Sequence, residues 1–448
     1  MHDLRRQALE SGKTVSRKAR SKQASAASSR ASSRANSAAN SRVPSRAASR
    51  QASDEEDGNL SDGTAWSTNS IDDVLASDDV DSPSDVWRTE LGDRMEQIID
   101  RKRSSNQGRE ESLRAYVHLL TAHYAKEDIE NKIGELVPAI LKSVKSETSE
   151  KETASALKAL AITVITEPSE DIYEMALHQL KRTISDSESM LAKTAAIHAL
   201  GTVTFYGGTS VEETQEIMDF FLEIVESDGH SIGAGDEVDV VTASIEEWGF
   251  LATQIEDMED ATEPAMEAFV EQLDSSDATV QIAAGENIAL LYEKSYTELE
   301  EDEDPPSDVE DIDEEESISG PKMVKRYNVY RQEWQLKHTL EELAKVSSRT
   351  ISKKDKKTLH SNFRDILNSV ENPTRGPRYQ KAVDKETGRH YGSRMTFRIH
   401  HGGEMKIDRW WKLHRLQGLR RILQGGFIVH YEHNEVILDS LPYGLPII

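Results

Sequence analysis

The sequence predicts a mainly α protein: an armadillo/HEAT-like α-solenoid, then a small basic α+β C-terminal module, with a disordered N-terminal tail. Three observations predict it. Apolar residues recur at helical spacing through residues 94–298, in segments separated by short breaks. Related segments return at about forty residues. Glu111 in EESLRAYVHL, Glu152 in KETASALKAL and Lys193 in AKTAAIHALG lie 41 apart, and comparable helices follow around Val240 and Gln281. That is the period of HEAT or armadillo repeats; a long helical bundle without true repeats is the alternative. Finally, residues 14–53 are mostly Ser, Ala, Arg and Asn, too poor in apolar surface to offset the entropy of ordering.

Charge divides the 448 residues sharply. Residues 1–53 carry 12 Lys+Arg against 2 Asp+Glu, and residues 322–448 carry 25 against 13. The total is −27, which leaves −49 on residues 54–321. An acidic body between basic ends suits an adaptor or a nucleic-acid-associated regulator better than a small-molecule enzyme. Cysteine is absent, which excludes disulfides, thiolate catalysis and Cys-based zinc sites and points to a reducing intracellular compartment, cytoplasm or nucleus. No apolar run approaches the length of a membrane span, and no h-region of a secretory signal follows Arg5 and Arg6.

The tail, residues 1–93, repeats Arg-x-x-Ser, which makes Ser33, Ser37, Ser45, Ser49 and Ser53 candidate phosphosites for basophilic kinases. Phosphorylation there would cancel the basic field; low-complexity Ser/Arg tails also contain this spacing by chance. Residues 54–93 are acidic, with Ile71, Val74, Leu75, Val86 and Trp87 as a short docking motif or as part of a solvated linker.

In the repeat domain, 94–298, helices are expected over Glu110–Tyr124, Ile129–Val144 and, after a Ser149-x-x-Glu152 capping box, up to Pro168. Ile172–Ile184, Met190–Thr204, a helix capped by Ser210-x-x-Glu213, Val238–Ile255 and Ala265–Leu273 follow. Val280–Glu293, VQIAAGENIALLYE, is apolar over most of its circumference and so requires neighbours on several sides. Residues 299–321 continue an acidic run, 13 acids in the 19 residues Glu298–Glu316, and read as an unfolded insert.

Residues 322–371 supply two more amphipathic helices, Arg331–Val346 and Leu359–Val370. Between them, Lys353, Lys354, Lys356 and Lys357 form a candidate nuclear-import patch or a solvated helix start. Residues 372–394, with Pro373 and Pro377, read as a loop. The module 395–448 opens with a β-hairpin, Met395–Ile399 and Met405–Ile407. A helix Trp410–Gln424 follows, then strands at Phe427–Tyr431 and Val436–Leu438. Arg398, Lys406, Arg409, Lys412, Arg415, Arg420 and Arg421 make a candidate contact for nucleic acid or ribosome. Against this, helix surfaces are commonly rich in Lys and Arg. Six histidines lie between His390 and His433, but His430 and His433 in a strand face opposite sides, and no metal set converges. No phosphate-binding loop, nucleophile elbow or placed acid/base pair is present, so neither enzyme activity nor a cofactor is expected.

Three stretches resemble one family, the interferon-related developmental regulators. DATVQIAAGENIALLYE resembles the signature that ends that family's helical domain. KKDKKTLHSNFRDILNSVE resembles its basic run and amphipathic helix, matching at Lys354, Asp355, Lys356, Phe363, Arg364, Asp365, Val370 and Glu371. MKIDRWWKLHRLQGLRRIL with GFIVHYEHNEVIL resembles its C-terminal motif, at Ile407, Asp408, Trp410, Lys412, His414, Leu423, Gly426, His430, Asn434 and Glu435. The Ser/Arg tail, the acidic insert and the missing basic C-terminal extension of animal members set this chain apart, and point to a fungal or other lower-eukaryote member. The resemblance implies an armadillo-like domain, no catalysis, and protein partners docked on the solenoid in transcriptional co-regulation. It also implies ribosome association with translational repression, in which the basic module would contact RNA.

Overall fold

The computed structural model describes residues 86–101, 104–299, 323–345, 353–383, 390–393, 395–399 and 404–442. The candidate phosphosites and the Ile71–Leu75 part of the docking motif lie outside them. The described part is dominated by helices. None is long and apolar enough to cross a membrane.

The body starts at Val86, inside the stretch read from sequence as tail. Helix α1 (Val86–Ile99) buries Leu91, Met95 and Ile98, and Trp87 stacks on His123 with ring centroids 4.3 Å apart. Those positions, at i, i+4 and i+7, keep helical spacing but are too few to stand out beside an acidic segment; they suffice once a neighbour covers them.

Helical pairs then follow. They are α2 (Asn106–Ala122), a one-turn α3 (Lys126–Ile129), α4 (Ile133–Ser146), α5 (Glu150–Thr166), α6 (Glu170–Asp186), α7 (Met190–Tyr206), α8 (Val211–Glu226), α9 (Val238–Ala252), α10 (Glu259–Gln272) and α11 (Ala278–Lys294). The inner layer is α2, α5, α7, α9 and α11, each packed on the next. The outer layer is α1, α4, α6, α8 and α10. This is the α-solenoid that the forty-residue period predicts. The composition of each helix decides its layer. Fifteen residues of α7 are buried, whereas α8 buries one face only and opens with a full capping box between Ser210 and Glu213. Helix α10 starts before Pro264, earlier than expected, with Thr262 and Met258 buried.

Three of the register residues, Glu152, Lys193 and Gln281, prove to be joints between helices, whereas Glu111 is exposed. The Lys193 ammonium donates to the carbonyls of Ile184, Ser185 and Ile232 at 2.7, 3.0 and 2.7 Å. Gln281 donates to those of Leu273 and Ser275 at 2.9 and 2.8 Å. At the equivalent place, Glu152 is wholly buried and accepts from Arg109 at 2.7 Å and Arg101 at 3.2 Å. Its carboxylate is therefore occupied. Ser149 caps α5 from its side, accepting from the Glu152 amide, and the reciprocal half of the expected box is replaced by the arginines. Each joint satisfies carbonyls or charges that repeat stacking removes from water.

After α11, β1 (Tyr296–Glu298) pairs antiparallel with β2 (Met323–Lys325), so the acidic insert is bracketed by a strand pair. Helices α12 (Glu333–Lys345) and α13 (Lys353–Glu371) pack on each other, and α13 packs on α11. Residues 372–394, read as a loop, contain β3 (Tyr379–Val383) and β4 (His390–Ser393) in an antiparallel, irregular pair. The expected hairpin follows as β5 (Thr396–Arg398) and β6 (Glu404–Lys406). Helix α14 spans Trp410–Leu423. The two expected strands after it are helices, α15 (Phe427–His433) and α16 (Glu435–Ser440). Short apolar runs do not reveal their period by themselves. Here Phe427 and Tyr431, then Ile437 and Leu441, are buried at helical i, i+4 spacing.

Candidate functional site

Helix α14 carries most of the predicted basic contact, and it lies across the inner layer as a third layer. It packs on α11, α9 and α5, and α15 reaches α2. The C-terminal elements thus run back over the helical pairs in reverse order.

Its first turn has no side-chain cap of its own. Glu293, at the end of α11, supplies one: its carboxylate accepts from the amides of Trp410 at 2.8 Å and Trp411 at 3.1 Å. An acidic group at a helix N-terminus satisfies orphan donors and opposes the positive end of the helix dipole. Burial pushes the Glu293 carboxyl up to about 7, against the two amide bonds that favour its ionised form. The Trp410 indole donates to Ser369 of α13 at 2.7 Å. The three stretches that resemble the family therefore meet here, on one another.

The cations divide into two sets. Arg421 is 6% exposed at its side chain and lies between Glu246, at 2.7 Å, and Glu247 of α9. Glu247 also accepts from His198 Nδ1–H at 2.8 Å. Burial raises the Glu247 carboxyl to about 7 and holds the His198 imidazole neutral, well below its usual range. Arg415 donates to the Thr253 hydroxyl and carbonyl at 2.9 and 3.0 Å and to the Ser440 carbonyl at 3.0 Å, with Trp411 and Phe205 on its faces. Lys412 is paired with Asp408 at 2.6 Å. Arg409 points its Nη1 toward the Thr374 carbonyl at 3.4 Å.

The outward set, among the side chains described, is Arg420 and Lys406. Arg420 is exposed and lies over the Phe397 ring, 5.3 Å from its centroid. Lys406 is exposed on β6. Arg398 pairs by its backbone with Glu404 across the hairpin. Lys353, Lys354, Lys356 and Lys357 form the first turn of α13.

Sequence reasoning put all seven cations on solvent faces. The overlooked signal was Glu246-Glu247 inside the largely apolar helix Val238–Ala252: a buried acid, Glu247, beside a half-buried one requires a cation. Glu293 within Val280–Glu293 is a similar signal, a buried acid that requires donors, here the first amides of α14.

The histidines act in packing. His430 Nε2–H donates to the Leu120 carbonyl at 2.7 Å, and His414 Nε2–H to that of Glu286 at 3.4 Å. Burial lowers both to about 4. His430 and His433 belong to a helix, not to a strand, and His433 Nδ1 bonds the Val429 carbonyl of its own turn. Among the described residues, no three His, Asp or Glu side chains converge as a metal site. Asn434 donates to the Ile165 carbonyl at 2.9 Å. Gly426 passes so close to Thr121 that a Cβ would lie 1.8 Å from its carbonyl oxygen.

The model of the interferon-related developmental regulator family matches residues 56–371. The chain belongs to that family. A relative, an uncharacterised protein of Schizosaccharomyces pombe, is 27% identical over 362 residues, covering 80% of this chain and 75% of that protein. The family match ends at the last residue of α13; it takes in the repeat body with α12 and α13 and begins thirty residues ahead of α1. Beyond it, the residues that resemble the family's C-terminal motif are the ones that seat α14 and α15: Trp410, His414, Gly426, His430 and Asn434. The family, by its name, is one of regulators.

Proposed function

We propose that this protein is a non-enzymatic regulatory scaffold that docks macromolecular partners and acts in transcriptional co-regulation. One observation carries the reading. The polar groups that could have made a reactive centre, Glu247, His198, Arg421, Arg415 and Glu293, are used up in holding α14 across the inner layer. What remains for partners is surface on a stiff framework: the outer helices, the exposed face of α12 and the edges of the third layer. Nuclear or cytoplasmic residence both agree with this role.

A ribosome- or RNA-associated repressor is the second reading. Exposure of Lys406 and Arg420 favours it. Two exposed cations, of which Arg420 lies over the Phe397 ring, offer a smaller phosphate contact, weaker than the seven first counted.

One experiment separates the readings. Tagged full-length protein is recovered from lysate at low and high salt, in parallel with sucrose-gradient sedimentation, and compared with a Lys406→Glu, Arg420→Glu variant. Stoichiometric, salt-resistant recovery of chromatin-modifying subunits, unchanged in the variant, supports the scaffold. Salt-sensitive co-sedimentation with ribosomal subunits, abolished in the variant, overturns it in favour of the second reading. Arg415 and Arg421 are left intact because their replacement would unseat α14.

A further inference from the structure

The outer layer has a groove that no described element fills. It lies between α4 and α6 and holds about 430 Å³. Pro138, Leu141 and Met175 give it apolar lining, and Lys142, Lys145 and His178 stand beside them. Met175 is 38% exposed, one of four large apolar side chains left open to water among the described residues. Lys142 and Lys145 are exposed, although the surrounding body is strongly acidic.

An apolar floor with a basic wall fits an acidic amphipathic segment. The chain has one. Ile71–Asp81 reads IDDVLASDDVD, with Ile71, Val74 and Leu75 at i, i+3 and i+4, four aspartates, at 72, 73, 78 and 79, around them, and a fifth, Asp81, at its end. It is also tethered beside the groove. The described chain begins at Val86 in α1, which packs on α4, the groove's first wall. The ion pair of Arg88 with Asp128, 3.7 Å, fixes the start of α1 just ahead of that wall. The eleven residues from Leu75 to Val86 extend up to about 36 Å, and α4 is only about 21 Å long, so the whole groove is within reach.

We propose that Ile71–Asp81 docks in the α4/α6 groove, its three apolar residues against Pro138, Leu141 and Met175 and its aspartates toward Lys142 and Lys145. Glu174, next to Met175, keeps the aspartates on the α4 side. A tether this short gives an effective concentration near ~1 mM, enough to hold a contact of three anchors. The segment read from sequence as a docking motif thus docks in cis, and an acidic peptide of another protein would have to displace it.

The absence of cysteine makes the test clean. Full-length protein carrying Leu75→Cys with Met175→Cys is oxidised mildly at micromolar concentration. Leu75→Cys with Glu223→Cys, on exposed α8, is the control. The docked segment gives an intramolecular disulfide at least about tenfold faster in the first pair than in the control, as a locally raised concentration requires. Changing the four aspartates to lysine removes that advantage. Equal rates in the two pairs overturn the proposal, as does an advantage that survives the aspartate changes. Disulfide-linked dimers in place of the intramolecular product overturn it too, and would identify a second copy as the occupant.

Discussion

The repeat body and the C-terminal elements are built from similar helices but held by different means. In the body, each joint reaches a neighbouring helical pair: Lys193 to Ile184 and Ile232, Gln281 to Leu273. In the C-terminal elements nearly every polar tether spans a long stretch of chain: Arg421 to Glu246, Asn434 to Ile165, His430 to Leu120. A local joint leaves a periodic mark in sequence. A distant tether leaves isolated polar residues that resemble surface.

The largest test of this difference compares two adjacent arginines. Arg421→Ala leaves buried Glu247 with neutral His198 but without its cation and should lower stability by about 3–5 kcal/mol. Arg420→Ala, on the solvent side of the same helix, should change it by no more than ~0.5 kcal/mol. Urea midpoints of full-length protein measure both, and equal effects would erase the division into inward and outward cations. A smaller loss, about 1–3 kcal/mol, is expected for Gly426→Ala, because the Thr121 backbone must move to admit a methyl group. Protection of the α15 amides from hydrogen exchange should fall while that of α7 and α8 is kept; loss in all three would mean that the third layer is integral to the body.

The smallest effect concerns pH. A carboxyl whose native value is raised contributes stability that is full below its unfolded value and is lost as pH rises through the native one. Glu293, raised to about 7, should therefore weaken the seat of α14 between pH ~4.5 and ~7. His414 and His430, lowered to about 4, act oppositely: their contribution is present above pH ~6.5 and lost on acidification toward 4. Glu293→Gln keeps an acceptor for the Trp410 amide and removes the ionisation. Its thermal midpoint should fall less steeply than that of wild type between pH 6.5 and 7.5, the remaining decline belonging to Glu247 and Glu286, which burial also raises to about 7. Parallel profiles would show that Glu293 does not ionise in that range.

The difference also explains what the sequence made legible. The solenoid could be read because α5, α7 and α11 each repeat an apolar face and a register residue. The hairpin of β5 and β6 was marked by alternation and by Gly402-Gly403. The helical state of Phe427–His433 was hidden, because seven residues are too few to show a period and their seat lies on α2, some three hundred residues away. The direction of Arg415 and Arg421 was hidden for the same reason. Whether a cation faces water is decided by the acids opposite, and Glu246-Glu247 lie in another helix.

The His430–Leu120 bond has a consequence for synthesis. Leu120 leaves the ribosome 310 residues before His430 does. At roughly 5–20 residues per second that interval is on the order of 15–60 s. For that time the inner helices exist without their cover, and an apolar face that the mature molecule never shows is open to whatever binds nascent chains. A stop codon shortly before Trp410 would make that exposure permanent. Early termination in this protein should thus produce a substrate for chaperones and proteases, not a shortened regulator.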